Sequence, residues 1–512
     1  MRRWGWALAG IVVLAAALRL WQLGDRSLWV DEAFTLRHVD GDLGHVLDRM
    51  SEEDSAPLYP LLAWGWSKVF GLSEAGLRSL PALLGVLTVP VVWAAAARVG
   101  GRPAAAAAAL LTAVSPFLVW HAQDARPYAL LILLGAVAFL AFLRVLEDGS
   151  RRWAAVWAVG SVLAVLTHYD AVFPFGVEAV WLVLGTRGTA RRAVLVAAGV
   201  PVLLGLALIP LAVAQSGGGL TGGGVGGEAG FGGGDNSAGG DVSFLGISDV
   251  EFLARRVAYV GGQFATGYQP RAQRFTALAA AVLLVLAIAA VLRLVPRERL
   301  RRVAVPAGVG LTTILAAVLL TVAGIDQVYT RFQSPAFVPL VVALGAGLAL
   351  CGRRVGVALV AALAALGIGV TLATAGDAKF GTQDWRTAFA ALGQSDEWRL
   401  VVLSAPYGKE MLPVYRPYAV LPREPFEVTE VVALALPDNR LRGGRQPEPP
   451  RPFVAPLPPA GFELVAYERA ETYTLLRYRA RKRTTPFALE LEALRLFRGG
   501  QQPPLIALPP GG

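Results

Sequence analysis

A single cysteine, Cys351, occurs among the 512 residues, so the chain forms neither an intrachain disulfide nor a cysteine-based metal site. Charged residues are also scarce, at 16% of the composition against 55% apolar residues. This composition is unusual for a soluble globular protein and typical of an integral membrane protein. No glycine-rich motif ending in Gly-Lys-Ser/Thr occurs, which argues against an ATP-driven pump.

Long apolar runs dominate the first 375 residues. A helix that crosses a bilayer needs roughly 20 apolar residues. The stretch 153–186 contains a proline, and it is predicted either as two spans or as one kinked span. Eleven spans are predicted in all, near 4–23, 79–97, 103–120, 127–146, 153–169, 172–186, 193–214, 275–294, 303–323, 335–351 and 355–375. The first is predicted to stay uncleaved, because no small-residue cleavage site precedes Trp21.

The arginine clusters between these runs predict the topology. They all fall on one side of the membrane if the N-terminus is cytoplasmic, which is the positive-inside pattern. The formal charge of +10 therefore does not indicate a nucleic-acid partner. With an odd number of spans, the region after residue 376 is predicted to be extracytoplasmic. An excess of Arg over Lys, with abundant Ala and Gly, suggests a bacterial plasma membrane.

The predicted organisation has three parts. Residues 1–375 form a transmembrane domain, with a first outer loop at 24–78 and a glycine-rich outer loop at 215–270. Residues 376–482 are predicted as a small extracytoplasmic α/β domain, because 399–403 and 473–478 have the pattern of strands. Residues 483–512 are predicted as a flexible, proline-rich tail.

Two adjacent carboxylates, Asp31 and Glu32, lie just beyond the first predicted span. Carboxylates beside hydrocarbon are costly, and they commonly have a function there. The alternative is that they cap a short helix at 33–39, as acids near a helix start often do. The sequence favours a catalytic role but leaves the capping role open.

Several segments together resemble the GT-C fold glycosyltransferases, in particular the protein O-mannosyltransferases and the lipid A aminoarabinose transferases. The similarity runs in order over about residues 1–390, and the succession of motifs carries it. The matching segments are Trp29-Val30-Asp31-Glu32, Asp54-Ser55-Ala56-Pro57-Leu58-Tyr59, Glu74 to Pro81, His121 to Tyr128, Thr167-His168-Tyr169, Tyr329-Thr330-Arg331-Phe332 and Asp384-Trp385-Arg386.

This resemblance implies a polytopic helical fold with about 11 transmembrane helices and an enzyme that moves a hexose or pentose from a polyprenyl-phosphate carrier to a glycan, lipid or protein acceptor. Transfer is expected at the extracytoplasmic face, with inversion at the anomeric carbon. The essential acid of the family matches Asp31, the expected general base, and its adjacent acid matches Glu32. Relatives often carry Lys or His before the first-loop proline, where this chain has Ser55 and Ala56.

A phosphate leaving group requires positive charge, and the planar guanidinium of arginine can hold two oxygens. Arg126 and Arg331 are therefore candidates, with interfacial snorkelling as their alternative. The complete set of predicted substrate-binding residues is Asp54, Tyr59, Asp124, Arg126, Tyr128, His168, Tyr169 and Arg331. Arg19, late in the first span, is predicted to snorkel outward without a role.

No cofactor is expected to be required. A divalent metal held by Asp31, Glu32, Asp124, His121 and His168 stays an alternative, although no tight ligand spacing supports it. Two rival classes also remain open. A transporter or flippase of a lipid-linked glycan typically places ionisable residues near the bilayer midplane, whereas these acids lie at one rim. A non-catalytic scaffold presenting the C-terminal domain is disfavoured by the retained acid pair.

Overall fold

The computed structural model describes residues 2–52, 56–215, 247–267, 273–375, 383–405, 408–422, 424–436, 457–494 and 505–510. Three features of the sequence lie outside these ranges: the candidate Asp54, the glycine-rich tract 217–240 and most of the proline-rich stretch 447–459. The chain divides into two compact units. The helical unit comprises Met1–Gly24 and Thr35–Ala375, and the C-terminal unit comprises Asp25–Phe34 and Gly376–Gly512.

The helices up to residue 375 are α1 Arg2–Leu20, α2 Val30–Val39, α3 Leu43–Glu52, α4 Leu58–Phe70, α5 Glu74–Val114, α6 Pro116–Ala122, α7 Tyr128–Asp148, α8 Arg151–Thr167, α9 Val172–Gly185, α10 Gly188–Gln215, α11 Ile247–Thr266, α12 Gln273–Leu294, α13 Arg297–Val322, α14 Ser334–Leu350 and α15 Arg353–Ala375. A short 3-10 turn, Tyr169–Ala171, separates α8 from α9.

Each of the predicted spans falls on helical residues. Within the described ranges, seven helices are long and apolar enough to cross a membrane, namely α1, α5, α7, α10, α12, α13 and α15. Helices α8, α9 and α14 have 17, 14 and 17 residues, which is short of a full span. The number of crossings and the orientation stay predictions.

Helix α5 contains two of the predicted spans, joined by a turn at Gly100-Gly101. Gly101 has φ 73° and ψ −165°, a conformation that residues with a side chain rarely adopt. Arg98 and Arg102 flank this turn, as the positive-inside pattern expects of a loop. The first arm of α5 therefore accounts for the prediction at 79–97, and the second arm together with α6 accounts for the prediction at 103–120.

Small residues allow close helix packing around α5. A Cβ atom on Gly345 of α14 would lie 2.5 Å from the amide nitrogen of Ala108. A Cβ atom on Gly367 of α15 would lie 2.6 Å from the carbonyl oxygen of Val114. Dispersion between such closely approaching backbones is a main source of helix association in membranes.

The C-terminal unit contains a five-stranded sheet in the order β3-β4-β2-β1-β5. Its strands are β1 Arg399–Ser404, β2 Val428–Ala435, β3 Phe462–Arg469, β4 Thr474–Thr484 and β5 Leu505–Leu508, and its helices are α16 Trp385–Ala390, α17 Gly408–Tyr415 and α18 Ala488–Ala493. Strands β1 and β2 are parallel, and the other pairs are antiparallel. The predicted α/β character and the strands predicted at 399–403 and 473–478 are confirmed. The flexible tail predicted over 483–512 is wrong at 488–493 and 505–508, which form α18 and the edge strand β5 that pairs with β1.

Candidate active site

The acid pair lies in the first turn of α2, which begins at Val30. Asp31 is 7% exposed and Glu32 is 1% exposed. The Glu32 side chain reaches back to the residue before the helix, where its Oε2 accepts a hydrogen bond of 3.3 Å from the Trp29 amide. This is the Glu half of a capping box, and it satisfies one of the amide groups that a helix start leaves unpaired.

The structure gives one of the two acids a structural role. Glu32 has the capping role that the sequence left open, and it holds the start of α2 in place. Asp31, one residue earlier, lies in the same turn, where the positive end of the helix dipole favours a carboxylate. Asp31 stays the predicted base of the pair, since it is the position that matches the essential acid of the resembled family.

Two predicted binding residues of the helical unit, Tyr128 and His168, lie in one aromatic group. The Tyr128 ring is 5.0 Å from the ring of His121 and 6.0 Å from the ring of His168, measured between centroids. His168 continues the row to Phe332, at 5.1 Å. The row joins α6, α7, the end of α8 and the segment before α14.

Arg331 lies beside this row. Its guanidinium carbon is 5.3 Å from the ring centre of Phe332 and 5.7 Å from that of Tyr329, which restricts the orientation of the planar group. The charges of Arg331 and Arg126 both act on His168. The structure therefore brings the two predicted arginines into the electrostatic range of one histidine.

His121 is buried next to the same charge. Burial first, and the positive charge of Arg331 second, lower the pKa of His121 to about 3. Its imidazole is consequently neutral at physiological pH. A neutral imidazole can donate or accept a hydrogen bond, but it does not supply positive charge to a phosphate.

Asp170 lies on the other side of His168 and is itself hydrogen-bonded to Gln327. Asp170 in the 3-10 turn has its Oδ2 3.3 Å from His168 Nδ1, and its Oδ1 accepts a 2.7 Å bond from Gln327 Nε2. Gln333 Nε2 in turn donates to the Gln327 carbonyl at 3.0 Å. Asp170 thereby links the turn after α8 to the segment 326–334, which carries Arg331.

Arg256 of α11 also holds the segment 326–334 in place. It is 4% exposed, and its NH1 lies 2.9 Å from Asp326 Oδ2, while its NH2 donates to the Val328 carbonyl at 3.0 Å. Its guanidinium also lies 4.5 Å from the ring centre of Tyr329. Sequence analysis did not single out Arg256 or Gln327, and it placed Asp170 only among the acids of the predicted outer connections. The only signal was the position of Asp170 two residues after His168.

The remaining predicted residues are placed as follows. Asp124 is 4% exposed in the turn between α6 and α7, where its carbonyl accepts a 2.7 Å bond from the Arg126 amide. Tyr59 is 3% exposed on α4. Tyr169 opens the 3-10 turn that carries Asp170. In the described residues no group of three or more His, Cys, Asp or Glu side chains is arranged to hold a metal ion.

The prediction that Arg19 snorkels outward is wrong. Arg19 has no exposed surface, and its NH1 donates to the carbonyls of Ala113 at 2.8 Å and Ala15 at 3.2 Å, while NH2 donates to Thr112 at 3.2 Å. Ala113 and Thr112 lie at the C-terminal end of α5. The last carbonyls of a helix lack partners within the helix and carry partial negative charge, so they solvate the buried cation.

The turn after α6 is in turn hydrogen-bonded to the end of α1. Gln123 Nε2 donates to the carbonyls of Leu18, Arg19 and Trp21 at 3.3, 3.2 and 2.9 Å, around the C-terminal end of α1. Arg19 of α1 thus binds the carbonyls at the end of α5. Gln123, in the turn that carries Asp124, binds the carbonyls at the end of α1.

Gly85 of α5 is the point where this arrangement is tightest. A Cβ atom there would lie 2.7 Å from the Ala122 Cβ and 2.9 Å from Arg19 Nε. We expect Gly85→Ala to destabilise the protein by about 1–3 kcal/mol, as overpacking of close-packed interiors does. Thermal unfolding in detergent measures the change.

Gly65 of α4 provides the matched control, because a Cβ atom there meets no atom within 4 Å. Gly65→Ala should stabilise its helix by about 0.5–1 kcal/mol, since alanine loses less backbone entropy than glycine. Equal melting temperatures for the two variants would contradict the packing described for Gly85.

Comparison with known proteins supports the helical fold of the chain. Residues 54–213 match the sequence model of the family described as dolichyl-phosphate-mannose-protein mannosyltransferase. The chain is similar to the crystal structure of ArnT from Cupriavidus metallidurans in the apo state, with a TM-score of 0.54 and 15% identity over 93% of this chain and 98% of that one. The structure of the same enzyme bound to undecaprenyl phosphate gives a TM-score of 0.50 and 15% identity, over 92% and 98%. No curated protein sequence matches the chain.

Proposed function

We propose that this chain transfers a sugar from a polyprenyl-phosphate carrier to a hydroxyl or similar acceptor. The chain is a multi-pass membrane protein with the GT-C fold of membrane glycosyltransferases. The observation that carries the proposal is the buried acid Asp31, in the first turn of the helix that follows the first apolar span. Acids at the rim of a membrane are rare, and they commonly mark functional sites.

In the proposed reaction Asp31 accepts the proton of the acceptor hydroxyl while the acceptor oxygen attacks the anomeric carbon. The bond between that carbon and the phosphate oxygen breaks, and its electron pair leaves with the polyprenyl phosphate. Attack from the side opposite the leaving group inverts the anomeric centre. Orientation of the two reactants supplies a large part of the rate. Glu32 acts by holding the start of α2 through its bond to Trp29.

Arg126 and Arg331 are proposed to stabilise the charge that develops on the leaving phosphate, because preorganised cations are among the largest contributions to catalysis. Arg331 is the stronger of the two candidates, since the rings of Tyr329 and Phe332 restrict its orientation. The side chain of Ala56, which precedes the first-loop proline, carries no group that binds phosphate, and this increases the need for an arginine. Asp54, Tyr59, Asp124, Tyr128, His168 and Tyr169 are proposed to bind the sugar and the remaining phosphate oxygens.

The bound lipid of the ArnT structure and the description of the matched family both support a lipid-phosphate donor. The proposed site of action is the extracytoplasmic face of a bacterial plasma membrane, with the N-terminus in the cytoplasm. The proposed chemistry requires no cofactor, since proton transfer and phosphate departure need only side chains of these types.

An assay of lipid-linked donors tests the proposal. Purified protein in nanodiscs receives undecaprenyl-phosphate mannose or undecaprenyl-phosphate aminoarabinose, together with lipid A or a peptide rich in Ser and Thr. We expect protein-dependent release of undecaprenyl phosphate and a mass increase of one acceptor by one sugar. In liposomes, movement of the intact donor across the bilayer without cleavage would instead indicate the transporter or flippase alternative.

A further inference from the structure

The segment that carries the acid pair is joined to the C-terminal domain by side-chain hydrogen bonds. Ser27 is 2% exposed, and its Oγ donates to Asp384 Oδ1 at 3.1 Å and accepts the Arg386 amide at 3.1 Å. These partners are 357 and 359 residues away along the chain. Ser27 is four residues before Asp31, so its bonds fix the backbone where the chain enters α2.

Asp384 is the centre of this connection. As the N-cap of α16, its Oδ1 also accepts the Thr387 amide at 3.2 Å. Its Oδ2 accepts a bond from Thr472 Oγ1 at 3.2 Å, just before β4. One carboxylate therefore joins the acid-pair segment, the helix α16 and the sheet. Each of these bonds is charge-assisted, which makes it stronger than a neutral pair.

Tyr415, at the end of α17, makes a second connection. Its hydroxyl accepts the amide of Leu28 at 2.7 Å, and Leu28 is 2% exposed. Leu28 immediately precedes Trp29, the residue that Glu32 caps. Arg386 also donates from NH2 to the Asp25 carbonyl. Two backbone groups, the Asp25 carbonyl and the Leu28 amide, and the side chain of Ser27 are thus held by residues beyond 383.

The anchoring helix is itself firmly held. Arg416 donates to the Phe389 carbonyl at 2.6 Å, and Arg399 and Arg477 donate to the Leu392 carbonyl at 2.5 and 3.1 Å. Arg399 has no exposed surface, and Arg416 and Arg477 are partly buried. Cations at the C-terminal end of a helix stabilise it through its exposed carbonyls. A helix held in this way keeps Asp384, and the residues bonded to Asp384, in one position.

We propose that the C-terminal domain positions Asp31 for catalysis, with Asp384 and Tyr415 as positioning residues that act through residues 25–34. The inference rests on the proposed function, because it concerns the same base. It gives the domain a part in the chemical step, in addition to any contact with the acceptor. Catalytic groups displaced by as little as about 1 Å lose on the order of 100-fold in rate.

Tyr415→Phe tests the inference by removing one hydroxyl from the connection. We expect kcat to fall by about 10- to 100-fold with little change in KM for the undecaprenyl-phosphate sugar that turns over, since the misplaced group is the base. Tyr473→Phe is the control: its hydroxyl donates to Glu468 inside the same domain and its ring is 5% exposed. Equal kcat values for the two variants would overturn the inference.

Two substitutions of Asp384 distinguish a positioning role from an effect of its negative charge. Asp384→Asn retains an oxygen that accepts from Ser27 and Thr387, and its amide can donate to Thr472, whereas Asp384→Ala loses all three contacts. We expect kcat near the wild-type value for the asparagine variant and a loss like that of Tyr415→Phe for the alanine variant. An equal loss in both would overturn the positioning role.

Hydrogen exchange of the amides of residues 25–34 provides a readout independent of turnover. Exchange should be faster in Tyr415→Phe than in wild type and unchanged in Tyr473→Phe. Equal exchange in all three proteins overturns the inference, whatever the activity. Faster exchange in Tyr415→Phe, combined with a wild-type protein that never cleaves the donor, overturns the proposed function while supporting the connection itself.

Discussion

Asp31→Asn should lower kcat by about 1,000-fold, within the range that a positioned general base contributes. Asparagine keeps the size of the side chain and one acceptor oxygen, but it cannot accept the proton of the acceptor hydroxyl. The free energy of unfolding should fall by about 2 kcal/mol or less, the upper size of the helix-dipole effect for a charge that is partly buried. The initial rate of undecaprenyl phosphate release, at saturating donor, measures the effect.

Two comparators on the same helix sharpen this test. Asp40, exposed at the end of α2, is the control for loss of a nearby carboxylate, and Asp40→Asn should retain full activity. Glu32→Gln keeps an oxygen that can accept the Trp29 amide, so its loss should be smaller than that of Asp31→Asn. If Asp31→Asn turned over like Asp40→Asn, the base would have to be another residue.

Arg331→Gln should reduce kcat/KM for the lipid-linked donor by about 100-fold, the size of effect seen when one preorganised donor to a developing charge is removed. The glutamine lacks both the charge and the planar pair of donors. Arg331→Lys should recover only part of the loss, because an ammonium keeps the charge without the two-pronged geometry. Rates at donor concentrations well below KM give kcat/KM directly.

Arg255 of α11 is the matched control for this second prediction. It is exposed and pairs with Glu251 one helical turn away, so Arg255→Gln removes the same charge at a position with little energetic weight. We expect no change in kcat/KM for this variant. An Arg331→Gln enzyme as active as Arg255→Gln would transfer the phosphate-binding role to Arg126.

The candidate site was predictable where its residues form local patterns. Asp31 and Glu32 are recognisable because they lie just beyond an apolar run, and that run is visible in the sequence. His168 and Arg331 are recognisable as polar residues at the ends of apolar segments. The bond between Asp170 and Gln327 is not predictable in this way, because it joins positions 157 residues apart. Asp54 lies outside the described residues, so its role stays a prediction.

Arg19 illustrates why a local argument fails. Snorkelling takes into account only the distance from a charge to the membrane surface. The argument cannot detect that another helix, α5, ends beside Arg19 and presents the carbonyls of Thr112 and Ala113. A buried cation is acceptable once such partners solvate it, and their presence depends on how the helices pack.

The sequence by itself determined the class of the protein, the positions of its apolar helices, the α/β character of its C-terminal region and the acid pair after the first span. These follow from composition and from periodicity within about 20 residues, which govern local structure. Only the tertiary structure decided that Glu32 caps α2, that Arg19 is buried, and that Ser27 bonds to Asp384 across 357 positions. Hydrogen bonds between distant residues depend on the packing of whole elements, and no local pattern encodes that packing.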